Sequence, residues 1–274
     1  MSERPVRPPR PQHVLEVVSA ERLSPHLVRV RARGADLSAF RESPHTDRYV
    51  KITFVKPELG LEPPYDLAAL RETLAPEDLP VTRTYTVREV AGDVIAIDFV
   101  VHGDEGLAGP WAARAQPGER LVVSSPGGGY APDPEADWHL LAGDESALPA
   151  ISAALEALGP DARGAAFIEV GGPSDELPVT APAGVDVVWL HRGDDVHAGT
   201  SRVLGDAVAA WSVPAGRGHV FAHGEREAMK ALREVFFTAW GLERSQVSLS
   251  GYWAYGRTED RFQAEKREPI GKIL

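Results

Sequence analysis

The first half of the chain alternates apolar and polar positions in short runs, the pattern of β-strands with one buried face. In one such run, Val50, Ile52 and Phe54 share a face. Turn signals such as Ala91-Gly92-Asp93 separate the runs, and Asp66–Leu74, between two of them, predicts a short helix. Short strands with few helices predict an antiparallel, six-stranded β-barrel. The predicted strands are His13–Glu21, Leu27–Ala32, Tyr49–Phe54, Thr82–Glu89, Val94–Val101 and Arg120–Ser124.

The second half follows a different pattern, in which apolar runs alternate with helical segments. Ala165–Val170 and Val185–Leu190 are rich in β-branched residues and predict buried parallel strands. Ser146–Leu158 carries an apolar stripe at helical spacing. This alternation predicts a Rossmann-like parallel α/β domain that binds a nucleotide. Further predicted elements are the strands Trp138–Ala142, His219–Ala222 and Gln246–Tyr252 and the helices Thr200–Trp211 and Glu225–Trp240.

These patterns divide the chain into two domains. We expect a flexible tail over residues 1–11, a barrel over 12–130, and a Pro- and Asp-rich linker over 131–137. The α/β domain then occupies 138–274 and includes a C-terminal extension. The predicted fold class is thus β + α/β.

Composition narrows the possible functions. The chain has 274 residues, no cysteine and a net charge of −11. The lack of cysteine excludes disulfides and thiolate-bound clusters and fits a reducing compartment, so we expect a cytoplasmic protein. Nucleic-acid binding is disfavoured because it depends on neutralising phosphates. No apolar run approaches the ~20 residues of a membrane span, and we expect a monomer.

One segment, Arg83-Thr84-Tyr85-Thr86-Val87-Arg88, carries the clearest chemistry. On a strand, Arg83 and Tyr85 face one way and Thr84 and Thr86 the other. The segment therefore offers a guanidinium for a phosphate, a ring for stacking and a hydroxyl, which are the groups that hold a flavin dinucleotide. An ordinary edge strand has the same alternation, and these six residues alone leave both interpretations open.

Two later motifs favour the dinucleotide. Asp98-Phe99-Val100-Val101-His102-Gly103 ends a strand, and Gly106-Leu107-Ala108-Gly109-Pro110-Trp111-Ala112 enters a helix. Pro110 suits a first helical turn, and the exposed amides of that turn suit a diphosphate. In this context we interpret His102 as a cofactor contact.

The order of these motifs resembles the siderophore-interacting, ferric-siderophore reductase family, a branch of the ferredoxin-reductase-like flavoproteins. The resemblance extends from about Gln12 to Arg257 and includes His45-Thr46-Asp47, Gly143-Asp144-Glu145-Ser146 and Gly251-Tyr252-Trp253. It implies noncovalent FAD, a barrel followed by a nucleotide-binding domain, and reduction of Fe(III) to Fe(II) in a siderophore. The chelator supplies the ligands of the iron, so we expect no metal site made of protein side chains.

The resemblance also implies roles for individual residues. Tyr85 and Thr86 would border the reacting ring, and Lys51, Arg48 and Arg257 would face the chelate. The cofactor contacts that it implies are Arg83, Thr84, Tyr85, Thr86, Asp98, Val100, His102, Ala108, Gly109 and Trp111.

This sequence departs from the family pattern at two basic positions. The turn Ser125-Pro126-Gly127-Gly128-Gly129 lacks the arginine that relatives carry, and Ala254 and Tyr255 follow Trp253 where relatives have basic residues. The patch that would bind an anionic chelate is thereby reduced.

The electron donor remains open between NADH, NADPH and reduced ferredoxin. The α/β domain has no G-x-G-x-x-G motif, and its acidic residues predict weak or transient nicotinamide binding. We expect Ser146 to cap the helix that follows it. The candidate donor-nucleotide contacts are Gly143, Asp144, Ser146, Arg192 and Glu225.

Two other functions remain possible from the sequence. One is a flavin reductase or ferredoxin-type electron-transfer flavoprotein without a chelate substrate, which the missing basic residues favour. The other is a siderophore-binding protein that catalyses no reaction.

Overall fold

The computed structural model describes residues 10–104, 106–193 and 196–274, so most of the predicted tail lies outside the described residues. Of that tail, Arg10 and Pro11 contact the barrel, since the Arg10 guanidinium donates to the Tyr49 hydroxyl at 3.2 Å and the Pro11 carbonyl accepts from the Ser125 amide. The elements of the first half are β1 (Gln12–Ser24), β2 (Leu27–Arg33), α1 (Ser38–Arg41), β3 (Tyr49–Phe54), α2 (Leu67–Thr73), β4 (Val81–Ala91), β5 (Val94–Val100), α3 (Ala108–Arg114) and β6 (Arg120–Ser124).

The first half closes into an antiparallel barrel with the strand order β1-β2-β5-β4-β3-β6, which confirms the prediction. Val50 and Ile52, predicted to share a face, are fully buried in its core. The short helix predicted within Asp66–Leu74 is α2, and the Asp66 carboxylate caps it by accepting from the amides of Ala68 and Ala69.

The second half is a parallel sheet covered on both faces, as predicted. Its elements are β7 (Trp138–Gly143), α4 (Leu148–Ala157), β8 (Arg163–Val170), β9 (Gly184–His191), α5 (Val203–Ala210), β10 (Gly218–Glu225), α6 (Arg226–Arg233), β11 (Val247–Trp253) and α7 (Glu259–Glu265). The strand order is β11-β10-β7-β8-β9. Helix α4 packs on the face directed at the barrel, and α5 and α6 pack on the other face.

Three details differ from the sequence expectations. The run that became β9 is an edge strand, so its residues are mostly half-exposed and it is not the buried strand that its apolar composition predicted. The helix predicted over Glu225–Trp240 changes after Arg233 to the wider π-helical spacing over Glu234–Ala239. Trp240 then packs against Phe236, with ring centroids 5.3 Å apart.

The third difference concerns the start of α4. The prediction that Ser146 caps this helix is wrong, because α4 begins at Leu148 without a side-chain cap. The Asp144 side chain accepts from both the amide and the hydroxyl of Ser146. The Asp144 carbonyl accepts from the amides of Ala147 and Leu148. The turn before α4 is therefore held by Asp144, and Ser146 does not cap the helix.

Polar side-chain contacts join the domains. Asp175, which follows β8 and is almost fully buried, accepts hydrogen bonds from Ser24 and His26 in the β1–β2 turn. On β4, the Arg88 guanidinium pairs with Glu156 of α4. Within the described residues, every helix is too short or too polar to traverse a lipid bilayer.

Candidate functional site

The segment Arg83–Arg88 lies in the centre of β4, and the register of the sheet fixes its faces. Arg83 lies opposite Ile52 and Tyr85 opposite Val50, whose side chains point into the barrel. Thr84 lies opposite Lys51, and both are exposed. Arg83 and Tyr85 therefore share the inner face of this strand, as the alternation predicted.

Tyr85 belongs to a small group of aromatic residues. Its ring centroid is 4.4 Å from that of Phe99 on β5, and Phe99 is 5.5 Å from Trp111 on α3. Burial raises the pKa of the Tyr85 hydroxyl, so this side chain stays neutral and presents a flat, uncharged ring. The group brings three predicted cofactor segments, β4, β5 and α3, into contact.

Arg83 has a partner that the sequence did not predict. Its guanidinium makes two hydrogen bonds to the Asp260 carboxylate, at 3.0 and 3.1 Å. Asp260 is largely exposed and lies on α7, in the C-terminal extension. The two-pronged geometry is the one in which a guanidinium also binds phosphate oxygens. The fork of Arg83 is thus oriented for an anion at the surface of the protein.

Thr86 is buried at 6 % exposure and meets a residue of the other domain. Burial raises the pKa of the Tyr252 hydroxyl, on β11, and the nearby Thr86 side chain partly opposes that effect. The predicted ring contact Thr86 therefore lies where the α/β domain meets the barrel. Sequence reasoning placed Tyr252 in a family motif without assigning it a role.

The other predicted cofactor residues differ in how accessible they are. Asp98 is buried and engaged by Arg29 through two hydrogen bonds of 2.6 and 2.7 Å, so its carboxylate serves the β2–β5 pairing. His102 is exposed. Gly109 lets α3 approach β5, because a Cβ there would lie 3.0 Å from the Val100 carbonyl oxygen. Ala108 is buried beneath the same helix.

The three predicted chelate contacts differ in the partners that their side chains bind. Lys51 is exposed on β3 and has no ion-pair partner among the described residues. The Arg48 guanidinium donates to the Phe40 carbonyl at 2.9 Å, and burial lowers its pKa. The Arg257 guanidinium donates to Glu265 on α7 at 2.8 Å. Of the three, Lys51 alone is presented to solvent without such a contact.

A second lysine lies near Lys51, on a segment that sequence reasoning left without a role. Lys266 follows α7, and its ammonium group lies 4.5 Å from the centre of the Phe262 ring. Burial lowers the pKa of Lys266, and the nearby charge of Lys51 lowers it further. The cation near Lys51 therefore belongs to a segment about 215 residues further along the sequence, and no local motif could have revealed it.

The predicted donor-nucleotide residues gather at the carboxyl ends of the parallel strands. Asp144 accepts from the Glu225 amide at 2.9 Å and from the Trp253 indole at 2.8 Å. The Glu225 carboxylate caps α6. Gly143 is required at the end of β7, because a Cβ there would lie 2.5 Å from the carbonyl oxygen of His223.

Arg192 is committed to a buried acidic cluster. It pairs with Glu145 and lies 3.8 Å from the Glu169 carboxylate. Burial, and then the charge of Asp144, raises the pKa of Glu169 to about 7. Burial also raises the pKa of Glu145, although Arg192 opposes that effect. The cluster holds more carboxylates than cations, which disfavours a pyrophosphate at this edge of the sheet.

Comparisons with known proteins agree with this geometry. A family model described as a siderophore-interacting FAD-binding domain matches residues 16–130, and one described as siderophore-interacting protein matches residues 136–256. The chain is 34% identical over 264 residues to a ferric vibriobactin reductase, ViuB, of Vibrio cholerae, across 92% of this chain and 93% of that protein. The chain belongs to the siderophore-interacting protein family. The predicted family and the predicted cofactor, FAD, are thereby confirmed.

Other members of the siderophore-interacting protein family show how far the likeness extends. An NADPH-dependent ferric-chelate reductase of Escherichia coli is 28% identical, with 87% of this chain and 91% of that protein covered. The crystal structure of a siderophore utilization protein from T. fusca is 37% identical and has a TM-score of 0.77. That comparison covers 91% of this chain and 95% of the other. Both domains of the fold are therefore shared with this relative.

The residues present fit the FAD of this family. The planar guanidinium of Arg83 has the shape to donate two hydrogen bonds to phosphate oxygens. In this structure it binds the Asp260 carboxylate, which is negatively charged like a phosphate. Tyr85 offers a neutral ring, and Thr86 and His102 offer hydrogen-bonding groups. The close approach of α3 to β5 at Gly109 completes a continuous strip from β4 to α3.

Proposed function

We propose that the chain is an FAD-dependent reductase that passes electrons from NADH, NADPH or reduced ferredoxin to the iron of a ferric siderophore and releases Fe(II). The observation that carries the proposal is the position of Arg83, Tyr85 and Thr86 on one strand beside the exposed Lys51. The printed functions of the relatives from Vibrio cholerae and Escherichia coli support the same reaction class.

When bound, FAD supplies the ability to accept a hydride from a nicotinamide and to give single electrons to iron. The protein supplies binding and orientation. In this proposal Arg83 exchanges the Asp260 carboxylate for the cofactor diphosphate, Tyr85 covers a ring face and the Thr86 hydroxyl is offered to the ring. The proximity of Tyr252 to Thr86 puts that hydroxyl at the domain boundary.

Lys51 and Lys266 attract the chelate. Many ferric chelates are anionic, and two nearby ammonium groups provide a local positive field on a chain of net charge −11. The proposal requires no protein ligand to the metal, because the chelator supplies the donor atoms. Among the residues that the structure describes, no group of three His, Asp or Glu side chains is arranged to hold a metal ion. Release follows from the weaker hold of such chelators on Fe(II).

The donor contacts are the weaker part of the proposed site. Gly143, Asp144, Ser146, Glu225 and Arg192 meet at one edge of the sheet, but Arg192 is neutralised by Glu145. We propose weak and transient nicotinamide binding there, with little discrimination by Arg192 for a 2′-phosphate. We also propose that the enzyme acts as a monomer in the cytoplasm, the compartment that a cysteine-free chain fits.

The test uses the purified full chain. It should show a flavin absorption spectrum that changes when denaturation releases the cofactor, and the extracted flavin should be FAD. With NADH, NADPH or reduced ferredoxin as donor, a coloured Fe(II) chelator should trap Fe(II) from a ferric siderophore. A protein that cannot be reconstituted with FAD contradicts the proposal. If the donor reduces the flavin but no ferric siderophore yields Fe(II), the chain is an electron-transfer flavoprotein.

A further inference from the structure

A cavity lies at the amino ends of β10 and β11, where the chain leaves the barrel and enters the α/β domain. Its volume is about 320 Å³. That volume is at the lower end of the range of roughly 300–1,000 Å³ that small-molecule sites occupy. Its lining includes Tyr130, His219, Arg244, Ser245, Ser248 and Leu249. We call it the linker pocket.

The linker pocket is separate from the candidate site described above. None of its described lining residues is a predicted contact of the cofactor, the chelate or the electron donor. His219 lies near the start of β10, and Glu225, a candidate donor contact, ends the same strand. At roughly 3.3 Å per strand residue, the two positions are about 20 Å apart. The pocket therefore opens at the end of the sheet opposite to the donor edge.

Tyr130 brings an unpaired hydroxyl to the linker pocket. The residue is buried at 2% exposure, and its ring stacks on His219 with centroids 4.8 Å apart. The barrel holds its backbone, since its amide donates to the Asp47 carboxylate at 2.9 Å and its carbonyl accepts from the Thr46 amide at 2.8 Å. Its hydroxyl has no hydrogen-bond partner among the described residues. A buried hydroxyl without a partner costs free energy, so a ligand that supplies an acceptor here is favoured.

Burial also fixes the hydrogen-bonding character of both aromatic side chains. Burial raises the pKa of the Tyr130 hydroxyl, so it stays protonated and can donate. Burial lowers the pKa of His219, so its ring is neutral near pH 7. The Asp133 amide donates to Nδ1 of His219 at 3.0 Å, which places the ring proton on Nε2. His219 therefore has an N–H donor to offer to the pocket that it lines.

The remaining polar side chains favour an anion. Arg244 is exposed and adds a guanidinium, and Ser245 and Ser248 add hydroxyls. No Asp or Glu is among the described residues that line the pocket. The nearby Asp133 carboxylate is paired with Arg217. A guanidinium surrounded by neutral donors is the arrangement that binds carboxylate or phosphate oxygens.

We propose that the linker pocket binds a small oxyanion, through a phosphate or carboxylate group held by Arg244, the Tyr130 hydroxyl and the His219 Nε2–H. This binding is additional to the proposed function and involves neither flavin nor iron. The bound anion connects the start of the linker to the first residues of β10 and to the segment before β11.

The experiment is calorimetric titration of the FAD-loaded full chain with inorganic phosphate and, separately, with succinate, in Tris chloride buffer. At least one probe should bind saturably with one equivalent per chain, and the tighter of the two identifies the preferred group. Arg244→Ala and Tyr130→Phe should each weaken that binding about tenfold, because each removes a hydrogen bond to a charged group. Arg71→Ala removes an exposed arginine of α2 outside the pocket, and this matched control should bind as the wild type does.

Thermal unfolding separates a ligand contact from a structural role of the Tyr130 hydroxyl. Without the anion, Tyr130→Phe should melt at or above the temperature of the wild type, since the hydroxyl has no partner within the described residues. With saturating anion the wild type should gain more stability than Tyr130→Phe, because a ligand stabilises the folded state according to its affinity. A lower melting temperature of Tyr130→Phe without the anion would overturn the inference.

Three results of the titration would also overturn it. The first is that neither probe binds, and the second is that Arg244→Ala and Tyr130→Phe both keep the wild-type affinity. The third is binding that Lys51→Ala abolishes and Arg244→Ala preserves, which would place the anion beside β3.

Discussion

At the scale of single residues, Arg83 shows how one guanidinium can serve two anions. It makes two hydrogen bonds to the Asp260 carboxylate, which is exposed on α7. Such a surface ion pair contributes about 1 kcal/mol or less to the stability of the folded protein. A diphosphate carries more charge and more acceptor oxygens than a carboxylate. We therefore expect the cofactor to displace Asp260 without a large cost.

The first prediction follows from that competition. Arg83→Ala should reduce the affinity for FAD by about 1.5–3 kcal/mol, the size of a lost charge-assisted hydrogen bond. Asp260→Asn, the matched variant, should bind FAD at least as tightly as the wild type because it removes the competitor. Equilibrium titration of the flavin-free chain measures both. Unchanged affinity in Arg83→Ala would show that the diphosphate lies elsewhere.

The second prediction concerns the exposed Lys51. Lys51→Ala should raise the KM for an anionic ferric chelate several-fold while the flavin content stays the same, because the side chain faces solvent on the outer side of β3. Lys56→Ala is the control, since Lys56 pairs with Asp78 outside the site. Steady-state kinetics with a neutral and an anionic chelate separate the charge effect. A loss of flavin in Lys51→Ala would show that Lys51 contacts the cofactor and not the chelate.

The third prediction uses the buried Glu169. Its pKa in the folded protein is about 7, above an ordinary value of 4.5, so the folded state binds the extra proton and ionisation opposes folding. Stability contributed by the protonated form is complete below pH 4.5 and is lost as the pH rises through 7. Glu169→Gln should therefore increase the free energy of unfolding at pH 8 by about 2–3 kcal/mol and have little effect at pH 4.5. Denaturant titrations at the two pH values measure the difference, and equal effects at both would contradict the assignment.

At the scale of elements, α7 links the barrel strand β4 to helix α6 of the α/β domain. It carries Asp260, which binds Arg83, and it precedes Lys266, which lies near Lys51. The helix is held by Glu265, which accepts from Arg226 at 2.6 Å, Arg257 at 2.8 Å and Arg261 at 3.0 Å. One buried carboxylate thus attaches the C-terminal extension to α6.

The fourth prediction tests that attachment. Hydrogen bonds from Arg226, then Arg261, lower the pKa of Glu265 to about 2. Its contribution is therefore complete above pH 4.5 and is lost as the pH falls towards 2. Glu265→Gln should increase amide hydrogen exchange in residues 257–274 at neutral pH, while Gln263→Ala, on the exposed side of α7, should not. Unchanged exchange in Glu265→Gln would show that Phe262 packing alone holds the helix.

At the scale of the whole molecule, the two domains are fastened at positions that flank the candidate site. Arg88 pairs with Glu156, Asp175 joins the β1–β2 turn, and Tyr252 lies near Thr86. Burial opposes ionisation of Asp175, but hydrogen bonds from His26 and Ser24 outweigh it and hold the pKa of this carboxyl below its usual value. The relative placement of Tyr85, Lys51 and the acidic edge depends on these contacts.

The fifth prediction is that Asp175→Ala destabilises the domain junction. The loss should be about 2–3 kcal/mol at pH 7, because Ser24 and His26 lose a charged acceptor. The effect should diminish as the pH falls below 3.8, where the wild-type carboxylate becomes protonated. Glu176→Ala, which removes only an exposed pair with His191, is the control and should cost less than about 1 kcal/mol. Thermal unfolding with equal melting temperatures for wild type and Asp175→Ala would contradict the role.

Much of the fold was predictable because its signals are local. The alternation of Val50 and Ile52 predicted a buried barrel face, and the change to alternating strands and helices after residue 137 predicted the parallel sheet. The position of β9 at the edge was not predictable, since strand order depends on which apolar faces meet. The capping turn before α4 was also missed, because Asp144 acts through its carbonyl as well as its side chain.

The candidate site also has features that the local sequence predicts and features that depend on distant segments. The local sequence placed Arg83 and Tyr85 on one face of a strand, since a period of two requires no knowledge of the rest of the chain. It gave no indication that Asp98 is bound by Arg29, that Arg48 donates to the Phe40 carbonyl, or that Arg192 is neutralised. Those outcomes depend on partners brought together by β-pairing and by the ends of parallel strands.

The sequence by itself determined the two domain types, the strand that holds the predicted flavin contacts and the acidic character of the α/β domain. The tertiary structure alone decided which charges remain available. It placed Asp260 on Arg83 and Lys266 near Lys51. The physical reason is that periodicity and motif chemistry act over a few residues, whereas electrostatic pairing acts through space between segments as distant as β3 and α7.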